Sequence, residues 1–282
     1  QLLGLLPGTI VALGGHDQPC AALGSGIIAP GEASGSAGTY ECLAVVSDSP
    51  CNSERALSYN LNSYCHVVPG AYITLAFFPS GVAVRWFVEQ FCFEDSERAR
   101  EVATSVYDVL QERVGALGSG PTGLCITPHL VGACNPYWDP RATGIVIGLT
   151  PEVTRHHVYK AIFEGIACEF AINVGVLEEI AGDIACVRIS GGGASSPFSV
   201  QLRADLAGKP IRTLHTREAV CQGAAILAGL AAGVYAGPRE AVQRVVRTKQ
   251  TFTPDAATGE AYARQRKQYD LAYQSLEAVR AA

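Results

Sequence analysis

A chain of 282 residues, 48% of them hydrophobic, can hold one large domain or two small ones with a packed core, and reads as an ordinary globular chain. Its 21 lysines and arginines against 26 acidic residues give a formal charge of −5 with no basic block, so no nucleic-acid partner is expected. No apolar stretch reaches the about 18 residues that span a bilayer, and the amino terminus lacks the basic flank of a signal peptide, so no membrane is expected and the cytoplasm is the expected compartment. The ten cysteines are scattered singly without a Cys-x-x-Cys pair and read as reduced core thiols. There is no methionine even at position 1, and Gln1 to Leu6 opens on an apolar run, so the chain reads as a piece of something longer.

Along the chain, Thr9 to Gly14 reads as a strand, with Ile10, Val11, Ala12 and Leu13, that ends in Gly14-Gly15-His16-Asp17-Gln18, after which Cys20 to Gly24 begins a small-residue helix. Asp17 therefore falls at a strand-to-helix junction. A carboxylate there either caps the helix or serves as a base at the mouth of a cleft beyond the strand ends, and the residues leave both open. Residues 33–40 and 41–46 are two strand-like pieces joined through Gly38-Thr39, a small-residue turn with a hydroxyl donor that suits a phosphate. After a strand-rich region to Pro79, Ser80-Gly81 opens a helix carrying Val84, Phe87, Val88 and Phe91, where Gly81 reads first as a plain helix start and second as a phosphate or ribose contact. A second helix is predicted over about 96–117.

Residues 123–149 hold a strand, the proline-rich loop Asn135 to Pro140 and another strand, and Thr150-Pro151 is predicted to start a long helix to about Ile180. His156-His157 lacks a Glu-x-x-His frame and reads as helix-end histidine, with no metal cluster in view. Next, the apolar run 184–189 leads into Ser190-Gly191-Gly192-Gly193-Ala194-Ser195-Ser196-Pro197 and then into helical spacing at Phe198, Leu202 and Leu206. Glycine has no Cβ to obstruct a ligand, and the first N–H groups of a helix are free for an anion or a ring edge, so this strand-to-helix turn reads as a nucleotide pocket, with an empty tight turn as the plain alternative. A dinucleotide fingerprint fails because Ser196 stands where its last glycine belongs, and a P-loop fails because Gly208-Lys209 runs into Pro210. Residues 211–214 form a short predicted strand, 218–232 a helix so rich in alanine and glycine that a neighbour must press on it, and 259–280 an amphipathic helix. The expected architecture is one α/β domain with an antiparallel start and a parallel continuation.

Four stretches in this order, Gly14 to Gln18, Gly35 to Thr39, Gly144 to Leu149 with His157 and Ala161 to Glu164, and Gly191 to Pro197 with Asp205, resemble the carboxyl-terminal lobe of the FGGY carbohydrate kinases. The resemblance covers almost the whole chain and implies an actin/hexokinase-like (ribonuclease H-like) ATPase domain over residues 1–282. It implies that Asp17 is the general base on a sugar hydroxyl and that His16, Asp17 and Gln18 contact the sugar. Gly38 and Thr39 would hold the ATP phosphates, Gly81 would contact the nucleotide, and Gly192, Gly193 and Ala194 would form the adenosine site. The Trp138-Asp139-Pro140 loop is also family-like, without a role.

ATP and Mg²⁺ are the implied cofactors, and a sugar or polyol, first a ketopentose such as xylulose, is the implied substrate. Such a kinase also has an amino-terminal lobe bearing an Asp-x-Gly-Thr motif and most of the sugar contacts. That lobe is absent here, so it is the expected partner and activity is expected to need it; a homodimer stays open. The reading from another class is a stand-alone, non-catalytic module that binds nucleotide or assembles through its small-residue surfaces.

Overall fold

The strand-like pieces on either side of Gly38-Thr39 form a hairpin, and the main sheet grows outward from it. In the computed structural model, which describes residues 4–281 with side chains through Ser275, helix α1 (Asp17–Gly24) precedes the hairpin strands β1 (Glu32–Ala37) and β2 (Tyr40–Ser47). Helix α2 (Glu54–Ser58) and strands β3 (Asn62–Cys65) and β4 (Tyr72–Pro79) follow, then helices α3 (Gly81–Phe91), α4 (Phe93–Glu101) and α5 (Val106–Gly115). A two-stranded ribbon of β5 (Cys125–Ile126) and β6 (Val146–Ile147) leads to the long helix α6 (Arg155–Ala181). The rest is β7 (Cys186–Ser190), a 3₁₀ turn (Gly192–Ser195), α7 (Pro197–Ala207), β8 (Ile211–Leu214), α8 (Ala219–Ala231), α9 (Pro238–Val245), β9 (Thr248–Phe252) and α10 (Ala256–Ala281).

The seven-stranded sheet runs β3-β4-β2-β1-β7-β8-β9. Pairings are antiparallel from β3 to β1, parallel from β1 through β7 to β8, and antiparallel again at β9. Period-two alternation along β2 splits its side chains between two layers. Leu43 and Val45 join Phe78, Val187 and Ile189 in the main core under α3, α6 and α7, where Ile162, Ile166, Phe170 and Val174 repeat at four-residue spacing along α6. Cys42, Ala44 and Val46 face the other way, onto Ala22 of α1 and Ile27.

The alanine- and glycine-rich helix does press on a neighbour. α8 lies against α1 so closely that a Cβ at Gly223 would overlap the Cys20 carbonyl and one at Gly24 the Ala219 carbonyl. The amphipathic tail closes the domain by docking α10 on α6, where buried Glu164 accepts hydrogen bonds from Tyr262 Oη (2.9 Å) and Gln265 Nε2 (2.7 Å), and buried Glu169 accepts one from Tyr269 Oη (2.5 Å).

Several expectations are corrected. Residues 9–16 form no strand; Val11 is 89% and Leu13 95% exposed, because this run pairs with no sheet edge among the described residues. Gln1 to Leu3 of the opening apolar run lie outside the described residues. The helix predicted over 96–117 is two helices, broken where Ala103 adopts φ 53° and Ser105 caps α5 by accepting the Tyr107 N–H (3.2 Å). The long helix starts at Arg155 rather than Pro151, because His157 Nδ1 reaches back to accept the Thr154 N–H (3.2 Å) and closes the first turn there. Helices α2 and α9 and strand β9 were not anticipated from the sequence. All ten cysteines carry free thiols, five of them buried, and no described helix is long and apolar enough to cross a membrane.

Candidate active site

Three of the predicted segments meet at one end of the sheet. β1 and β7 run parallel with Ser36 beside Ser190, so the Gly38-Thr39 turn and the Gly191 to Ser195 turn leave adjacent strands at the same edge. The start of α3 closes the group from the β4 side. Gly81 N–H donates to Gly38 O (3.1 Å), while Ser80 N–H and Val82 N–H donate to Thr39 O (3.2 and 3.1 Å). Gly38, Thr39, Gly81, Gly192, Gly193 and Ala194 thus form one rim beyond the carboxyl ends of the parallel strands, where α/β sheets gather their ligands. Thr39 is exposed, and its hydroxyl and N–H carry no protein partner among the described residues.

The glycines of this rim do different jobs. A Cβ at Gly81 would sit 2.5 Å from Gly38 O, one at Gly191 2.5 Å from Ala37 O, and one at Gly193 2.8 Å from the Ala37 methyl. These three are small because protein packs on protein, with Gly191 also at φ 90°. Gly192 alone faces open space, with nothing within 4 Å of an added Cβ. Beside it a pocket of about 40 Å³ is lined by Ser190, Ala194, Thr213, His215, Arg217 and Lys249. A larger cavity of about 340 Å³ between α3, the β5–β6 ribbon and α6 is lined almost wholly by apolar groups such as Trp86, Phe91 and Leu149. Its one charged residue, Arg155, is already paired with Glu94 and Asp95, so it offers little to phosphate chemistry.

Asp17 is the first residue of α1, on the opposite layer of the sheet, and no hydrogen bond among the described residues joins it to the rim. Its Oδ1 accepts the Gln18 N–H (2.8 Å) and lies 3.1 Å from His16 Nδ1, while Oδ2 has no protein partner. The His16 ring stacks on Tyr64 with centroids 5.6 Å apart. Asp17 is 61% exposed, yet its charge reaches β2: the Cys42 thiol is pushed up to about 12, first by burial and then by Asp17 and Glu41. Cys42 lies three residues beyond Thr39, so this carboxylate and the Gly38-Thr39 turn share the beginning of one strand. The carboxylate contributes a first-turn hydrogen bond and keeps an oxygen open to solvent, so neither reading of Asp17 is lost.

Sequence reasoning missed what lies under the rim. Glu41 and Arg203, fully buried, form a two-pronged ion pair, with Nε to Oε1 at 3.1 Å and Nη2 to Oε2 at 2.7 Å. The signal was a glutamate opening an otherwise apolar strand, since buried charges are found paired. Asp205 has a scaffolding role, holding the β9–α10 connection by accepting the Asp255 N–H (2.7 Å).

The rim offers donors at Thr39 that are unpartnered among the described residues, and open space beside Gly192. No group of three or more His, Cys, Asp or Glu side chains among the described residues could hold a metal ion.

Residues 33–232 match the family described as "FGGY family of carbohydrate kinases, C-terminal domain". The chain belongs to the FGGY carbohydrate kinases. It is similar to an autoinducer-2 kinase of Yersinia enterocolitica, 28% identical over 259 residues that cover 90% of this chain and 48% of that protein. A xylulose kinase of Staphylococcus epidermidis is 27% identical over 285 residues, covering 99% of the chain and 54% of the relative. Among solved structures, the xylulose kinase of Rhodospirillum rubrum superposes with a TM-score of 0.82 at 28% identity, covering 99% of this chain and 54% of the other. The FGGY fold is thus the actin/hexokinase-like one expected from sequence, and the chain spans about half the length of the curated relatives it matches.

Proposed function

We propose that this chain is the nucleotide-binding lobe of an ATP-dependent kinase that phosphorylates a sugar or polyol hydroxyl, first a ketopentose such as xylulose, in the cytoplasm. The observation that carries the reading is the convergence of the Gly38-Thr39 turn, the Gly81 helix start and the Gly192 to Ala194 turn on one sheet edge. Phosphoryl transfer asks a protein mainly to place the acceptor in line and to stabilise charge on the transferring group. Thr39 N–H and Oγ1 supply donors for phosphate oxygens, and the 3₁₀ turn at Gly192 leaves room for the adenosine. Mg²⁺ bound to the phosphates would neutralise part of their charge.

A sugar hydroxyl is a weak nucleophile near neutral pH. The open Oδ2 of Asp17 is a suitable acceptor for its proton, with His16 and Gln18 as sugar contacts. Most of the sugar site and the surface that seals it from water would come from an amino-terminal lobe, and the exposed apolar residues Ile10, Val11 and Leu13, just before Asp17, suit a join to such a lobe. The test is ADP release by the full-length protein across a panel of ketopentoses, other sugars, polyols and the autoinducer-2 class of substrate. One strongly preferred acceptor is expected, and ATP turnover that no acceptor stimulates would refute the reading.

A further inference from the structure

Glu41 and Arg203 lie 162 residues apart in sequence, and every group around them is engaged. Besides the two contacts to Glu41, Arg203 Nη1 donates to Ser199 O (3.0 Å) and to Ser199 Oγ, and Ser80 Oγ donates to Glu41 Oε2 (3.4 Å). The guanidinium also sits over the Phe170 ring, 6.0 Å from its centroid. Each partner adjoins one piece of the rim. Glu41 is two residues past Thr39 and pairs across the hairpin with Ala37, on which Gly191 and Gly193 rest. Ser80 immediately precedes Gly81, and Ser199 and Arg203 lie on α7, the helix that continues from the Gly192 to Ser195 turn.

A buried ion pair is a poor choice for stability alone, because removing two charges from water roughly cancels their attraction and an apolar replacement of similar volume is often neutral or stabilising. What the planar fork offers instead is a fixed distance and angle between two elements. Resting on the nucleotide-site reading above, we propose that the Glu41–Arg203 pair is a positioning device. It sets the phosphate turn, the α3 start and the adenosine turn at the spacing one ATP molecule requires. Neither residue touches ligand; both act through the three segments they join. Misplacing a binding group by about 1 Å can cost orders of magnitude in rate, so losing this alignment has a functional effect larger than its effect on stability.

The experiment uses the full-length protein with Glu41→Leu/Arg203→Met, which keeps the volume apolar and leaves no orphaned charge, and with Arg203→Lys, which keeps the charge but loses the fork. Melting temperature, KM for ATP and KM for the preferred sugar are measured for each. The double variant is expected to melt within a few degrees of wild type while its KM for ATP rises roughly tenfold or more and its KM for the sugar stays within about twofold. Arg203→Lys is expected to fall between the two on ATP. A stable double variant with an unchanged KM for ATP would overturn the proposal and leave the pair a scaffold. If the double variant does not fold, Arg203→Lys decides, an ATP-only rise supporting the proposal and equal KM values overturning it. A wild-type protein that does not turn over ATP with any sugar would instead refute the functional reading, and this proposal with it.

Discussion

Gly192→Ala and Gly81→Ala test whether the open part of the rim receives the proposed nucleotide while the other part serves packing. At Gly192 an added methyl meets nothing within 4 Å, so the fold should accept it, and the reduced freedom of the unfolded chain gains about 0.4–1 kcal/mol. At Gly81 the methyl lands 2.5 Å from Gly38 O and 3.2 Å from Gly38 C, both rigid backbone. Restoring ordinary contact requires α3 to retreat by roughly 0.9 Å, which strains the Gly81 N–H to Gly38 O and Val82 N–H to Thr39 O bonds. Overpacking of about 1–3 kcal/mol plus the loss of about half of each of two hydrogen bonds worth about 1 kcal/mol gives a loss of about 2–4 kcal/mol. At about 2–4 °C per kcal/mol, the melting temperature falls by about 4–16 °C. In the full-length protein, Gly192→Ala should melt at or slightly above wild type while its KM for ATP rises roughly tenfold, because the methyl occupies space the adenosine needs. Gly81→Ala should lose stability and ATP affinity together. ATP binding by Gly192→Ala equal to that of wild type, or an unchanged melting temperature in Gly81→Ala, would overturn these assignments.

Other consequences concern the scaffold. Gly223→Ala, whose methyl would overlap the Cys20 carbonyl, should force α8 off α1 and lower stability by about 3 kcal/mol or more, read as loss of soluble protein or a collapsed melting temperature. His66, held neutral between Ile27 O (3.0 Å) and the Val68 N–H (3.2 Å), has its pKa lowered by burial, against a smaller opposing effect of the Ile27 hydrogen bond. The unfolded chain therefore takes up a proton below about pH 6.5 that the folded chain resists. Stability from this group is present above that pH and is lost as pH falls, so the drop in melting temperature between pH 7.5 and 5.5 should be smaller in His66→Gln than in wild type. Native thiol titration should modify exposed Cys65 and Cys221 first, while Cys42, pushed up to about 12, and Cys92 and Cys125, pushed up to about 11, wait for unfolding.

Local signals carried most of the fold. The hairpin about Gly38-Thr39, the strand-glycine-helix passage at 186–207 and the α3 start were legible because turn chemistry and apolar spacing agree within a few residues. Where they mislead, long-range partners decide. Ile10 to Leu13 is a continuous apolar run like a buried strand but finds no edge to pair with, and the break at 102–105 depends on the left-handed Ala103 and the Ser105 cap, which the helical spacing conceals. The same holds for the site. Its glycines were recognisable, yet three of them also pack closely on protein, Gly81 on the Gly38 carbonyl, Gly191 on the Ala37 carbonyl and Gly193 on the Ala37 methyl, and the Glu41–Arg203 pair spans 162 residues. His16, Asp17 and Gln18 were legible as a motif. Their place on the opposite layer from the rim was not, because it follows from how α1 packs on α8.

If this lobe serves sugar phosphorylation with Asp17 as the proton acceptor, sugar-dependent ADP release and ATP affinity, measured side by side in full-length wild type and Asp17→Asn, should part company. Turnover is expected to fall by about 10²–10⁴-fold in the variant with ATP affinity unchanged. Equal turnover in the two proteins, or loss of ATP binding together with turnover, would contradict that role for Asp17.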